Sequence, residues 1–149
     1  MNPDSPKVVE LLRSRGLRPT RARRLVLARL ARSNDHLSVD ELRAELRRRG
    51  QPVSVATLYQ NLKRLVAEGL LASFAGDDGL VRFDANTESH AHLVCARCGR
   101  IADIGPDDPV LKRLTVAVPR PARRMRGWTL AQARLELRGL CPDCRRRPA

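Results

Sequence analysis

Aromatic side chains are scarce in this 149-residue chain: Tyr59, Phe74, Phe83 and Trp128 are the only four. A core must therefore come from Leu, Val and Ala, and a hydrophobic share of 42% is enough to build one. That share, periodically arranged, excludes wholesale disorder. Long apolar runs are missing too. None approaches the ~18–20 residues of a membrane span, so no membrane partner is expected. Residues 1–16 lack the apolar stretch of a secretory signal, which leads to the expectation of a cytoplasmic protein. In that compartment four cysteines are metal ligands or redox groups before they are structural disulfides.

Acidic residues are few, 16 against 29 basic ones, and the formal net charge is +13. The excess is +8 in residues 1–75 and +5 in residues 76–149. A balance of this size favours a polyanion as partner, nucleic acid first. Only three of the basic residues are Lys, a skew toward Arg that says nothing of function by itself.

The apolar spacing predicts four helices followed by a hairpin. Val8, Leu11 and Leu12 form one face and Gly16 ends it. Thr20 opens a second helix carrying Leu25, Val26 and Leu30. Ser38 and Glu41 have capping-box spacing ahead of Val39, Leu42 and Leu46. Val55, Leu58, Leu62, Leu65 and Val66 mark a fourth helix. Leu70–Phe74 and Leu80–Phe83, joined by a Gly76-to-Gly79 turn, read as two strands. The order is that of a winged helix-turn-helix. We therefore expect an α+β protein: a winged-helix DNA-binding domain over 1–83, a hinge over 84–89, and a small α/β dimerisation and metal-binding domain over 90–149. In the second part, two short strands flank Cys95 and Cys98, a short helix covers Val110–Val118, an exposed loop covers Pro119–Gly127, and a strand covers Trp128–Leu140.

A helix in the major groove needs a polar face for base edges and phosphates. The fourth helix offers Tyr59 for a thymine methyl or a phosphate, Gln60 and Asn61 for adenine, and Lys63 and Arg64 for phosphate or guanine. Ser54 and Thr57 lie at its polar start. Arg18, Arg21, Arg23 and Arg24 suit the backbone or a narrow minor groove. The same surface would also suit a solvated amphipathic helix or a protein contact; the charge and the wing favour DNA.

Cys95-x-x-Cys98 and Cys141-x-x-Cys144 are two pairs with 42 residues between them. Two such turns make a tetrahedral thiolate site suited to structural zinc. The other reading is one or two redox pairs. The three histidines are His36, His90 and His92. His90 and His92 alternate, so on a strand both rings share a face. With Asp84 and Asp103 the three histidines make a mixed nitrogen and oxygen set suited to iron(II), manganese(II) or cobalt(II), and less specifically to zinc.

Arg18-Pro19-Thr20, His36, Val53-Ser54-Val55-Ala56-Thr57-Leu58-Tyr59, Arg82-Phe83-Asp84, His90-x-His92-x-x-Cys95-x-x-Cys98-Gly99 and Arg134-Leu135-Glu136-Leu137-x-Gly139-x-Cys141-x-x-Cys144 occur in this order. Together they resemble the ferric uptake regulator family. The resemblance implies a homodimeric, metal-responsive repressor of a double-stranded DNA operator, with no small-molecule substrate and no enzymatic activity. It implies structural zinc on the four cysteines. It implies regulatory iron(II) or manganese(II) on His36, Asp84, His90, His92 and Asp103. Asp at both carboxylate positions is similar to the peroxide-sensing branch, where iron(II) reacts with peroxide and a ligand histidine, here His36 or His90, is oxidised. An iron- or manganese-responsive uptake repressor without a peroxide response is the alternative. The chain departs from the family pattern over residues 105–126, at Gln132-Ala133, where many relatives carry histidines, and at Gln60, which follows the tyrosine in place of a common Arg.

Overall fold

The computed structural model describes residues 2–32, 35–76, 78–88, 90–117 and 135–146. They form two compact units, Met1–Thr87 and Glu88–Ala149.

The first unit holds helices α1 (Pro6–Ser14), α2 (Arg21–Leu30), α3 (Val39–Arg48) and α4 (Val55–Ala67), with strands β1 (Leu37–Ser38), β2 (Ala72–Ala75) and β3 (Val81–Asp84). Each helix starts where a hydroxyl can take an orphan backbone N–H. Ser5 accepts from Val8, Thr20 from Arg23 and Ser54 from Thr57. The expected capping box is complete: Glu41 N–H donates to Ser38 Oγ and Ser38 N–H donates to Glu41 Oε2 at 2.7 Å. The core is aliphatic. Val8 and Leu12 of α1, Leu25, Val26 and Leu30 of α2, Leu42 and Leu46 of α3, and Leu58, Leu62 and Leu65 of α4 are buried together with Phe83.

The sheet order is β1-β3-β2, all antiparallel. β1 was not expected. It is only two residues long and carries no alternating pattern of its own. β2 begins at Ala72 rather than Leu70, because the N–H groups of Leu70 and Leu71 both reach back to Leu65 O and close α4. β3 runs one residue further than expected. Asp84, expected in a hinge, is instead the last residue of β3 and pairs in register with Ala72.

The second unit holds β4 (Ala91–Cys95), β5 (Ile101–Ile104), α5 (Pro109–Ala117), β6 (Glu136–Gly139) and α6 (Pro142–Arg146). β4 is central, antiparallel to β5 and parallel to β6. A small core of Ala91, Ile104 and Leu111 lies against it, with Leu137 packed beside. The strands around the first cysteine pair and the short helix stand where the spacing puts them. Of the strand expected over Trp128–Leu140, residues 136–139 form β6 and residues 128–134 lie outside the described residues. The loop expected over Pro119–Gly127 also lies outside them.

Candidate metal centres and nucleic-acid interface

The four cysteines meet at the end of the second unit's sheet. Their sulfurs lie within 4.8 Å of one another. Cys95 ends β4, and its carbonyl accepts from Gly99 N–H at 2.9 Å. That turn needs the φ of +69° that Gly99 adopts. Cys141 and Cys144 bracket the start of α6. Arg97 ties the two halves by donating to Cys144 O at 2.7 Å, and Arg100 pairs with Asp143 at 2.8 Å.

The separation of Cys98 and Cys141 sulfurs is 3.8 Å. Ligands ~2.3 Å from a tetrahedral ion stand ~3.8 Å apart, so the cluster fits a zinc site. The thiols differ in how readily each becomes charged. Backbone N–H groups of Cys141, Cys98 and Arg97 draw the Cys95 thiol down to about 6. Burial, with the hydrogen bonds its S–H donates to the neighbouring sulfurs, pushes Cys144 up to about 12. Four thiolates this close need a cation to be charged together.

The histidines and aspartates form one group in each unit. In the first, His36 sits just before β1 and Asp84 at the end of β3. His36 Nε2 is 3.4 Å from Asp84 Oδ2, and both side chains are buried. Phe74 of the wing lies against the His36 ring at 5.4 Å between centroids. Asp84 Oδ1 accepts from Asn86 N–H at 2.7 Å, which leaves Oδ2 as the oxygen facing His36.

In the second unit, the register pairs His92 of β4 directly with Asp103 of β5. His90 Nε2 and His92 Nε2 are 2.9 Å apart. Asp103 Oδ1 lies 3.7 Å from the first and 3.9 Å from the second. His90 Nδ1 is 2.8 Å from the Glu88 carbonyl oxygen. A carbonyl only accepts, so Nδ1 carries the proton and Nε2 of the neutral ring keeps its lone pair. With metal–ligand bonds of ~2.1 Å, neighbouring corners of an octahedron stand ~3.0 Å apart and opposite corners ~4.2 Å. The 2.9 Å separation is close to that of neighbouring corners, and the 3.7 and 3.9 Å separations lie between the two values. This donor set fits a five- or six-coordinate ion of the iron or manganese kind.

The expected nucleic-acid residues separate into two sorts. Arg18, Arg21, Ser54, Tyr59, Gln60, Lys63 and Arg64 are exposed, Tyr59 by 57%. Asn61 is not a surface residue. It is 9% exposed and donates to Thr57 O at 2.7 Å within its own helix. Its spacing explains this, since it stands three residues after Leu58 and four before Leu65, on the apolar stripe. Thr57 is half-buried, and its hydroxyl takes a hydrogen bond from Ser54 at 2.8 Å. Arg23 donates to Arg18 O at 3.0 Å and Arg24 pairs with Asp4, so both serve the unit itself. Sequence reading missed Arg82, whose contacts to His36 and to both neighbouring elements depend on the fold.

No helix among the described residues is long and apolar enough to cross a membrane. The family model described as the ferric uptake regulator family matches residues 14–138. A peroxide-responsive repressor, PerR, of Staphylococcus aureus is 33% identical over 133 residues, 89% of this chain and 86% of that protein. The solved ferric uptake regulator from Pseudomonas aeruginosa with manganese is 29% identical, with a TM-score of 0.65 over 91% of this chain and 98% of that one. The solved Campylobacter jejuni peroxide stress regulator is 27% identical, with a TM-score of 0.65 over 92% and 98%.

Proposed function

The chain belongs to the ferric uptake regulator family, a family of metal-responsive transcriptional regulators, and on that premise we propose a homodimeric repressor whose grip on operator DNA depends on iron(II) or manganese(II) and is released by peroxide. In this reading His36, Asp84, His90, His92 and Asp103 hold one regulatory ion, and Cys95, Cys98, Cys141 and Cys144 hold structural zinc. The observation that carries it is the His90–His92 pair, its nitrogens 2.9 Å apart beside Asp103, with His90 fixed in the tautomer that ligates.

Ligands drawn from both compact units favour the poses in which the two groups meet, which is a population shift. In a homodimer this sets the spacing of two α4 helices. Operator half-sites stand about one helical turn, ~34 Å, apart, so spacing is what DNA tests. A coupling of ~1–3 kcal/mol changes DNA affinity ~5–150-fold.

Bound iron(II) would supply the reduction of hydrogen peroxide next to these imidazoles. His36 or His90 gains one oxygen at a ring carbon, the ring C–H becoming C=O with its hydrogen moved to nitrogen. One peroxide is consumed and one water leaves. The oxidised ring ligates poorly and the grip on DNA is lost. The likeness to a peroxide-responsive repressor at 33% identity supports this branch. The likeness to a regulator solved with manganese supports the second reading, a metal-uptake repressor indifferent to peroxide.

The test uses a duplex selected from a random pool by the manganese-loaded protein. Binding is measured with iron(II) or manganese(II), before and after peroxide, alongside peptide masses. The proposal expects loss of binding and a gain of one oxygen on the peptide bearing His36 or His90, with iron only. Binding that survives peroxide with iron bound selects the second reading. Oxygen on the cysteine peptides instead would assign sensing to the thiolates.

A further inference from the structure

On the second helix of the helix-turn-helix, α4, the exposed Tyr59 and Gln60 are the residues suited to base edges. One turn earlier, before its first residue, the surface holds a cleft of about 300 Å³ lined by Arg43, Arg47, Pro52, Val53 and Ser54. Arg43 and Arg47 stand four residues apart on α3, both exposed and alongside the buried stripe of Val39, Leu42 and Leu46. Like charges at that spacing disfavour a helix. Elsewhere in this unit, acidic partners are close at hand. Glu45 pairs with Arg29 and Arg49, and Glu41 with Arg82. Among the described residues no acidic side chain pairs with Arg43 or Arg47. Two guanidinium groups thus line one cleft with their charge uncompensated.

We propose that this cleft seats a phosphate of the DNA backbone, with Arg43 and Arg47 as its two charged walls. The proposal rests on the DNA-binding reading and adds to it a contact outside α4. In helix-turn-helix docking the first helix crosses the backbone while the second enters the groove. Here those roles fall to α3 and α4. Arginine suits the site because its planar fork meets two phosphate oxygens at once. The hydroxyl of Ser54 is already committed to Thr57, so the arginines carry the contact. A phosphate held here fixes the register of α4 without reading sequence.

The test compares the manganese-loaded full chain with Arg43→Gln, Arg47→Gln, the double variant and Arg48→Gln. Arg48 is an exposed arginine on the same helix that does not line the cleft. Affinity for the selected duplex and for a random duplex is measured from 50 to 300 mM salt, after zinc content and melting confirm folding. With one phosphate per protomer, the double variant should lower the slope of log affinity against log salt by about two for a dimer. Its affinity should fall about tenfold on both duplexes. Arg48→Gln should stay within about twofold, and Arg43→Lys should keep most of the slope. A folded double variant with wild-type slope and affinity overturns the proposal. So does saturable binding of inorganic phosphate in the cleft without an effect of the variants on DNA. If the wild-type chain binds no duplex under any metal, the DNA-binding reading itself falls, and this contact with it.

Discussion

Arg82 donates from one guanidinium nitrogen to the backbone carbonyl oxygen of His36 at 2.8 Å. The same nitrogen reaches Glu41 Oε2 at 2.9 Å, and the other reaches Asp78 Oδ2 at 2.6 Å. One side chain thereby links a proposed metal ligand, the capping box of α3 and the turn of the wing. Gly76 makes room for it: a Cβ there would lie 2.7 Å from Asp78 Oδ1 and 3.0 Å from Arg82 Nε.

Arg82→Gln therefore loosens His36 as well as the wing. A loss of about 1–3 kcal/mol in urea unfolding is expected, the size of a lost charge-assisted hydrogen bond. Manganese affinity should fall about tenfold or more, as when a group orienting a ligand is removed. Calorimetric titration checks this. Unchanged manganese affinity in the folded variant would confine Arg82 to a structural role.

Tyr59 and Asn61 stand two residues apart and should behave in opposite ways. Tyr59→Ala leaves stability within about 0.5 kcal/mol, as for an exposed site, while operator affinity falls. Asn61→Ala costs about 1 kcal/mol of stability through its lost bond to Thr57 O. Thermal melts and gel-shift titrations of both variants separate the two effects.

Glu45 predicts acid sensitivity in the first unit. Arg29, 8% exposed at its side chain, holds the Glu45 carboxyl below its ordinary value by hydrogen bonding at 2.5 Å. A carboxyl lowered by folding contributes stability that is complete above about pH 4.5 and is lost as pH falls through the lowered value. Glu45→Gln should therefore cost about 2 kcal/mol near neutrality and progressively less in acid. Unfolding curves at pH 7, 5 and 3 read this directly.

The cysteine cluster predicts one zinc per chain. Cys95→Ser or Cys144→Ser should release it and unfold the second unit, since the sulfurs that surround the ion also tie Cys141 N–H to Cys95. Zinc release by a strong chelator, followed by a thiol-sensitive dye, should show four accessible thiols. Retained zinc and an unchanged melt in both variants would contradict the assignment.

The sequence made most of this visible where chemistry is local. The capping residues Thr20, Ser38 and Ser54, the two cysteine pairs and the alternation of His90 and His92 all depend on neighbours a few positions away. What it hid is tertiary. β1 exists because Leu37 and Ser38 find β3, and nothing in two residues announces that. Arg82 looks like one basic residue among many until folding sets His36, Glu41 and Asp78 around it. Asn61 is the instructive case between: its amide suits adenine, but its spacing from Leu58 and Leu65 already marked it as inward.

The proposed function has a single ion take ligands from both units. Manganese titrations of His36→Ala, His92→Ala and the double variant test it most directly. The account predicts one site per chain, abolished or weakened at least a hundredfold by either single change, with the double variant no worse than the worse single. Two independent sites, each lost by only one of the substitutions, would contradict it.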